Sequence, residues 1–179
     1  HGRDRRQRQM CIRDSFEQVG AFMGTWVIGY GIVQGSAPAL RRLWGQTSSP
    51  GVAAVQFWSA LLTAIPALIG VALWRDANVA IAITAGLAAF GVVFAMNSSI
   101  HSYMVLAYTD AESVSLNVGF YYMANAAGRL IGTLLSGAVF MLGRTESGGM
   151  QACLWTSSLL VLLAWLSSLR LPAPLRTVS

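Results

Sequence analysis

Carboxylates are scarce in this chain, with seven Asp and Glu against twelve basic residues. Beyond Ser15 the acids are Glu17, Asp76, Asp110, Glu112 and Glu146, and each stands at the end of an apolar run or between two runs. No cation inside a run therefore has an acid of this chain at its own depth. Cysteine is nearly as rare: Cys11 and Cys153 are the two present, too few and too far apart for a disulfide framework or a metal-ligand spacing. Charged residues make up only 11% of the chain, well below the share in a soluble domain. With 55% hydrophobic residues and a mean hydropathy of +0.56, the composition is that of a membrane protein.

The net charge of +5 would ordinarily point to an anionic macromolecular partner, yet Arg3, Arg5, Arg6, Arg8 and Arg13 supply most of it. The rest is nearly balanced, and no nucleic-acid partner is expected. Met10–Ser15, "MCIRDS", is what a common transposon-based sequencing adaptor encodes when translated. Residues 1–15 are accordingly expected to be adaptor-derived or a disordered leader, which removes His1 and Cys11 from any site.

Apolar runs of the roughly 20 residues needed to cross a bilayer extend over Val19–Leu40, Val52–Trp74, Val79–Ala107, Val114–Leu142 and Met150–Leu169. The connections carry the turn signals and most of the charge: "RRLWGQTSSPG", "RDAN", "YTDAES" and "GRTESGG", with "RLPAPLR" closing the chain. The fold class expected is all-α, a polytopic transmembrane helix bundle of five spans over residues 16–179. Arg41, Arg42, Arg170 and Arg176 fall on one side and Arg75 and Arg144 on the other, so the first connection and the C-terminus are expected to be cytoplasmic. Glycine pairs stand at helix-packing spacing at Gly20/Gly24, Gly31/Gly35 and Gly128/Gly132, but glycine is common in membrane helices and its abundance suffices to explain them; Pro66 is expected to kink the second run.

The fourth run holds the most informative residue. At 100° per residue, Ser115, Tyr122, Asn125, Arg129, Thr133 and Ser136 share one narrow sector. Phe120, Ala124, Ala127, Ile131 and Leu134 lie opposite. Tyr121 borders the polar sector, and Asn117 lies further round. Arg129 is near mid-span, where an arginine costs about 2.5–3.5 kcal/mol on insertion scales. Such a cost implies compensation, by a carboxylate, by broken-helix carbonyls, or by an anionic substrate that takes two parallel hydrogen bonds from the planar guanidinium. Because no run contains an acid, the small anionic substrate is the favoured reading. In the third run, "NSSIHSY" sets Asn97 and His101 one turn apart with Ser98 and Ser102 beside them. His101 suits proton relay or anion binding, but a lone histidine is more often a neutral, hydrogen-bonded packing residue. Gln34, Tyr30 and Tyr103 are weaker pore-lining candidates.

Three stretches, "GTWVIGYGIVQGSAP", "NSSIHSYMVLAYTDAESVSLNVGFYYMANAAGRLIGTLLSG" and "CLWTSSLLVLL", resemble the C-terminal half of the ArsJ-type organoarsenical efflux permeases of the major facilitator superfamily. The resemblance covers nearly everything after Ser15. It implies that the five spans match helices eight to twelve of a twelve-helix transporter in the bacterial inner membrane, with a cavity between two six-helix halves. The N-terminal half would then be a missing partner, and the chain a fragment. Arg129, Asn125, Tyr122 and Tyr121 would lie on the eleventh helix and Asn97 and His101 on the tenth, both cavity-lining; Gln34 would join them from the eighth. The implied activity is export of 1-arseno-3-phosphoglycerate, an arsenic-resistance function linked to a glyceraldehyde-3-phosphate dehydrogenase, with no cofactor.

Two other classes of function compete. A membrane-embedded enzyme needs a nucleophile with a base, or a metal cluster, and one histidine and one cysteine in different spans supply neither. A non-transporting assembly subunit fits five spans with small-residue contacts, but a scaffold has little use for an unpaired mid-span charge.

Overall fold

The computed structural model describes residues 2–45, 49–110, 112–143 and 145–172, with side chains from residue 16 onward. Arg144, Arg176 and the side chains of the arginine-rich leader lie outside the described residues. Five helices follow one another: α1 (Gly2–Leu43), α2 (Val52–Trp74), α3 (Val79–Ala107), α4 (Val114–Leu142) and α5 (Glu146–Ser168). The expected bounds of α2, α3 and α4 agree with the structure residue for residue.

Two helices differ from their expected extents. The backbone of α1 takes in residues 2–15 and ends three residues past Leu40. α5 starts a turn before Met150, because Thr145 caps it: its hydroxyl oxygen accepts the Gly148 N–H at 3.1 Å, and Glu146 sits in the first turn where acids suit the helix dipole. That cap carries the helix through Gly148 and Gly149, which read as a turn in the sequence.

Among the described helices, α2, α3, α4 and α5 are long and apolar enough to cross a membrane. At 1.5 Å per residue the shorter of them measure about 35 Å, against a hydrocarbon core of about 30 Å. This is an integral membrane helix bundle. Five spans were expected; α1 is helical across its whole expected run, but glycines together with Trp26, Tyr30 and Gln34 dilute its apolar character, and it is not among the four.

α2 is the centre of the bundle, packing on α3 and α5, while α1 packs on α3, and α4 on α5 and more lightly on α3. Val55, Trp58, Leu62, Ile65, Ile69 and Leu73 recur at three- and four-residue spacing along α2 and form the core with Val93, Met96, Ile100 and Met104 of α3. Pro66 lies buried within α2, and the helix continues past it.

Contacts fix the directions. Trp26 Nε1 donates to the Leu87 carbonyl at 2.8 Å and Gln34 Nε2 to Ser98 Oγ at 3.4 Å, so α1 and α3 run parallel. Gln56 Nε2 at the start of α2 donates to the Ser168 carbonyl at the end of α5 at 3.5 Å, and the Tyr108 hydroxyl after α3 donates to the Pro172 carbonyl. One end of the bundle therefore gathers Arg41, Arg42, Asp110, Glu112 and Arg170, and Arg75, Asp76 and Glu146 lie at the other, the grouping expected from the sequence.

The glycine pairs make no close approach to another described helix, in keeping with the ordinary abundance of glycine in membrane helices. A Cβ on Gly20, Gly24, Gly31, Gly35, Gly128 or Gly132 would meet nothing within 4 Å, because these positions face away from every described neighbour. Close approach occurs at other glycines. A Cβ on Gly149 would stand 2.6 Å from the Phe140 carbonyl oxygen where α4 turns into α5, and one on Gly91 would stand 3.1 Å from the Trp26 indole nitrogen.

Candidate functional site

α4 has no buried residue. Its half-buried positions include Asn117, Tyr121, Leu135 and Val139, which fall in one sector and form the seam against α3 and α5. The polar sector lies beside that seam. Tyr122 is 61% exposed, and Asn125 and Arg129 are exposed as well. Arg129 sits about 20 Å from either end of the helix, too deep for easy snorkelling to the headgroups. Its guanidinium has no hydrogen-bond or ion-pair partner among the described residues; only its carbonyl is engaged, by the Thr133 hydroxyl at 2.9 Å. The other edge of the sector touches α5, where the Cys153 thiol donates to the Ser136 carbonyl at 3.4 Å.

α3 divides the "NSSIHSY" group between two surroundings. Asn97 is buried, 6% exposed, and its Oδ1 accepts the Ser59 hydroxyl of α2 at 3.2 Å. A carbonyl oxygen in such a core needs a donor, and Ser59 provides it. His101 turns instead toward α4. With Thr109, Asn117 and Tyr121 it lines a pocket of about 420 Å³, whose apolar wall includes Val55 and Met104. That volume is within the range of small-molecule sites.

A polar seam joins three helices beside this pocket. Gln34 of α1 donates to Ser98 of α3, the Ser102 hydroxyl donates to the Ser98 carbonyl at 3.0 Å, and Tyr121 of α4 lies beside Ser102. The Tyr121 and Tyr122 rings meet edge to face at 5.5 Å. From Tyr122 the polar groups continue at three- and four-residue steps through Asn125 to Arg129, about 10 Å further along the helix.

Gln34, His101, Tyr121 and Tyr122 are thus brought into one neighbourhood, continued by Asn125 and Arg129. Asn97 belongs to the α2–α3 core. Sequence reasoning passed over Ser59 and Thr109 and left Asn117 outside the site. The spacing along α4 could have joined Asn117 to Tyr121, one turn away; nothing in α2 marks Ser59 as the partner of Asn97.

Chemically, the neighbourhood offers hydroxyl and amide donors, an imidazole, and one permanent cation at mid-depth on an open face. Arg129 with the donors beside it suits an acceptor-rich anion, whereas the pocket that His101 and Tyr121 line is walled mainly by apolar groups. In comparisons with protein-family models, curated proteins and solved structures, nothing matches this chain.

Proposed function

We propose that this chain serves a secondary transporter of the major facilitator type, corresponding to its last five helices, and that the transported species is an organic anion held by Arg129. The observation that carries this reading is the position of Arg129: mid-depth on a membrane-length helix, open on its polar face, with no acid beside it among the described residues. Tyr122 and Asn125 line up with it along α4 and add neutral donors, so the face favours a ligand with several charged oxygens.

The resemblance noted in the sequence narrows the ligand to 1-arseno-3-phosphoglycerate, exported in arsenate resistance. A phosphate and an arsenate on one three-carbon acid give the guanidinium fork more than one acceptor pair. The Arg41 end of the bundle is taken as cytoplasmic on the arginine rule. Chemistry on the substrate has no part in this reading; binding and reorientation are the whole activity.

The test is an arsenate-sensitive cell expressing a permease that contains this chain, with and without a glyceraldehyde-3-phosphate dehydrogenase. Protection that requires the dehydrogenase is the expected result. Equal protection in both strains assigns free arsenate as the substrate, and export of another phosphorylated anion without an arsenic phenotype leaves the anion site but removes the arsenical. Normal export by an Arg129→Gln permease defeats the anion-site reading itself.

A further inference from the structure

A second basic site lies away from Arg129, where α1 ends and α2 begins. Arg41 and Arg42 occupy the last turn of α1. Arg41, Ser49, Pro50, Gly51, Phe57 and Trp58 line a pocket of about 330 Å³. The Trp44 ring stacks on Trp58 at 6.1 Å, and Phe57 meets Trp58 edge-on at 5.5 Å. The connection itself carries Arg41 and Arg42 and no acid, while Asp110, Glu112 and Arg170 stand at the same end of the bundle.

Depth and shape both bear on the occupant. The pocket lies at the ends of membrane-length helices, the level of lipid headgroups, where tryptophan collects and where basic pockets between helices hold anionic lipid. Below it, Phe57, Leu61 and Leu68 share one face of α2 and are 62%, 38% and 65% exposed. That strip leads from the pocket toward mid-membrane. A free phosphate would use the arginines and leave the strip idle, whereas a phospholipid uses both.

We propose that this pocket binds an anionic phospholipid, with its phosphodiester at Arg41 and Arg42 and an acyl chain along Phe57, Leu61 and Leu68. The site is independent of the transport reading and stands whichever anion is exported.

The full chain in detergent, titrated with phosphatidylglycerol or phosphatidylcholine and read by native mass spectrometry, provides the test. Phosphatidylglycerol should be retained preferentially, and less so as salt is raised. Each basic charge near an anionic lipid surface is worth about fivefold in binding, so Arg41→Gln with Arg42→Gln should weaken retention roughly thirtyfold. The Arg41→Lys, Arg42→Lys chain should keep most of it, and circular dichroism should show that each variant is helical. Leu61→Ser with Leu68→Ser should also weaken retention. Equal retention of both lipids, an unaffected double Gln variant, or displacement by inorganic phosphate would each overturn the proposal.

Discussion

Replacing Arg129 with Gln should separate function from stability. In a chain where a buried arginine is ion-paired, deleting one partner strands the other and costs about 3–5 kcal/mol. Here the guanidinium has no partner among the described residues and sits on an exposed face. Its removal should therefore shift unfolding by no more than about 0.5 kcal/mol, the usual range for a surface position. Losing a charge-assisted contact to a bound anion costs about 1.5–3 kcal/mol, or roughly one to two decades in affinity. Arg129→Lys should fall short as well, because lysine keeps the charge and loses the planar fork. Asn125→Ala should do less than either. The assay pairs thermal unfolding of the purified chain, followed by helical circular dichroism, with export from vesicles holding a permease that contains it. If Arg129→Gln lost several kcal/mol of stability, the arginine would have a structural partner and the reasoning would fail at its first step.

Ser59→Ala should destabilise the bundle by about 1–3 kcal/mol, since it leaves the buried Asn97 carbonyl without its donor. A double-mutant cycle with Asn97→Ala should show coupling, and strict additivity would contradict the pairing. Gly149→Ala should loosen the α4–α5 turn by about 1–3 kcal/mol, because its methyl would stand 2.6 Å from a backbone oxygen that has little room to move; the same change at Gly132, inside a helix with nothing opposite, should not lower the melting temperature and should raise it slightly. A Gln46→Cys permease should resist impermeant thiol reagents applied outside intact cells, and labelling from outside would reverse the orientation assigned to the Arg41 end.

Helix extents were largely legible in the sequence because polar and charged clusters, "QTSSPG", "RDAN", "YTDAES" and "GRTESGG", interrupt the apolar runs, and charge does not suit a helix interior in lipid. Side-to-side relations were not. Asn97 and His101 are a turn apart and looked like one constellation, yet the intervening rotation is enough to send one to Ser59 on α2 and the other to the pocket that Tyr121 of α4 also lines. The spacing of Gly128 and Gly132 is that of a packing motif, but spacing does not say whether another helix stands opposite. Arg129 is the converse case. Its depth follows from counting residues, and the scarcity of acids, visible in the sequence, carries most of its interpretation.

The light attachment of α4 bears on how the chain enters the membrane. Within this chain its principal neighbour is α5, which is synthesised after it, and among the described helices made before it α3 offers a minor contact. When α4 leaves the ribosome it therefore carries an arginine and a polar stripe toward lipid before α5 is there to cover its seam. The tight glycine turn at Gly143 and Gly149 brings α5 alongside within a few residues. α4 and α5 are thus best delivered to the bilayer together, as a hairpin, so that the second helix shares the cost of inserting the first.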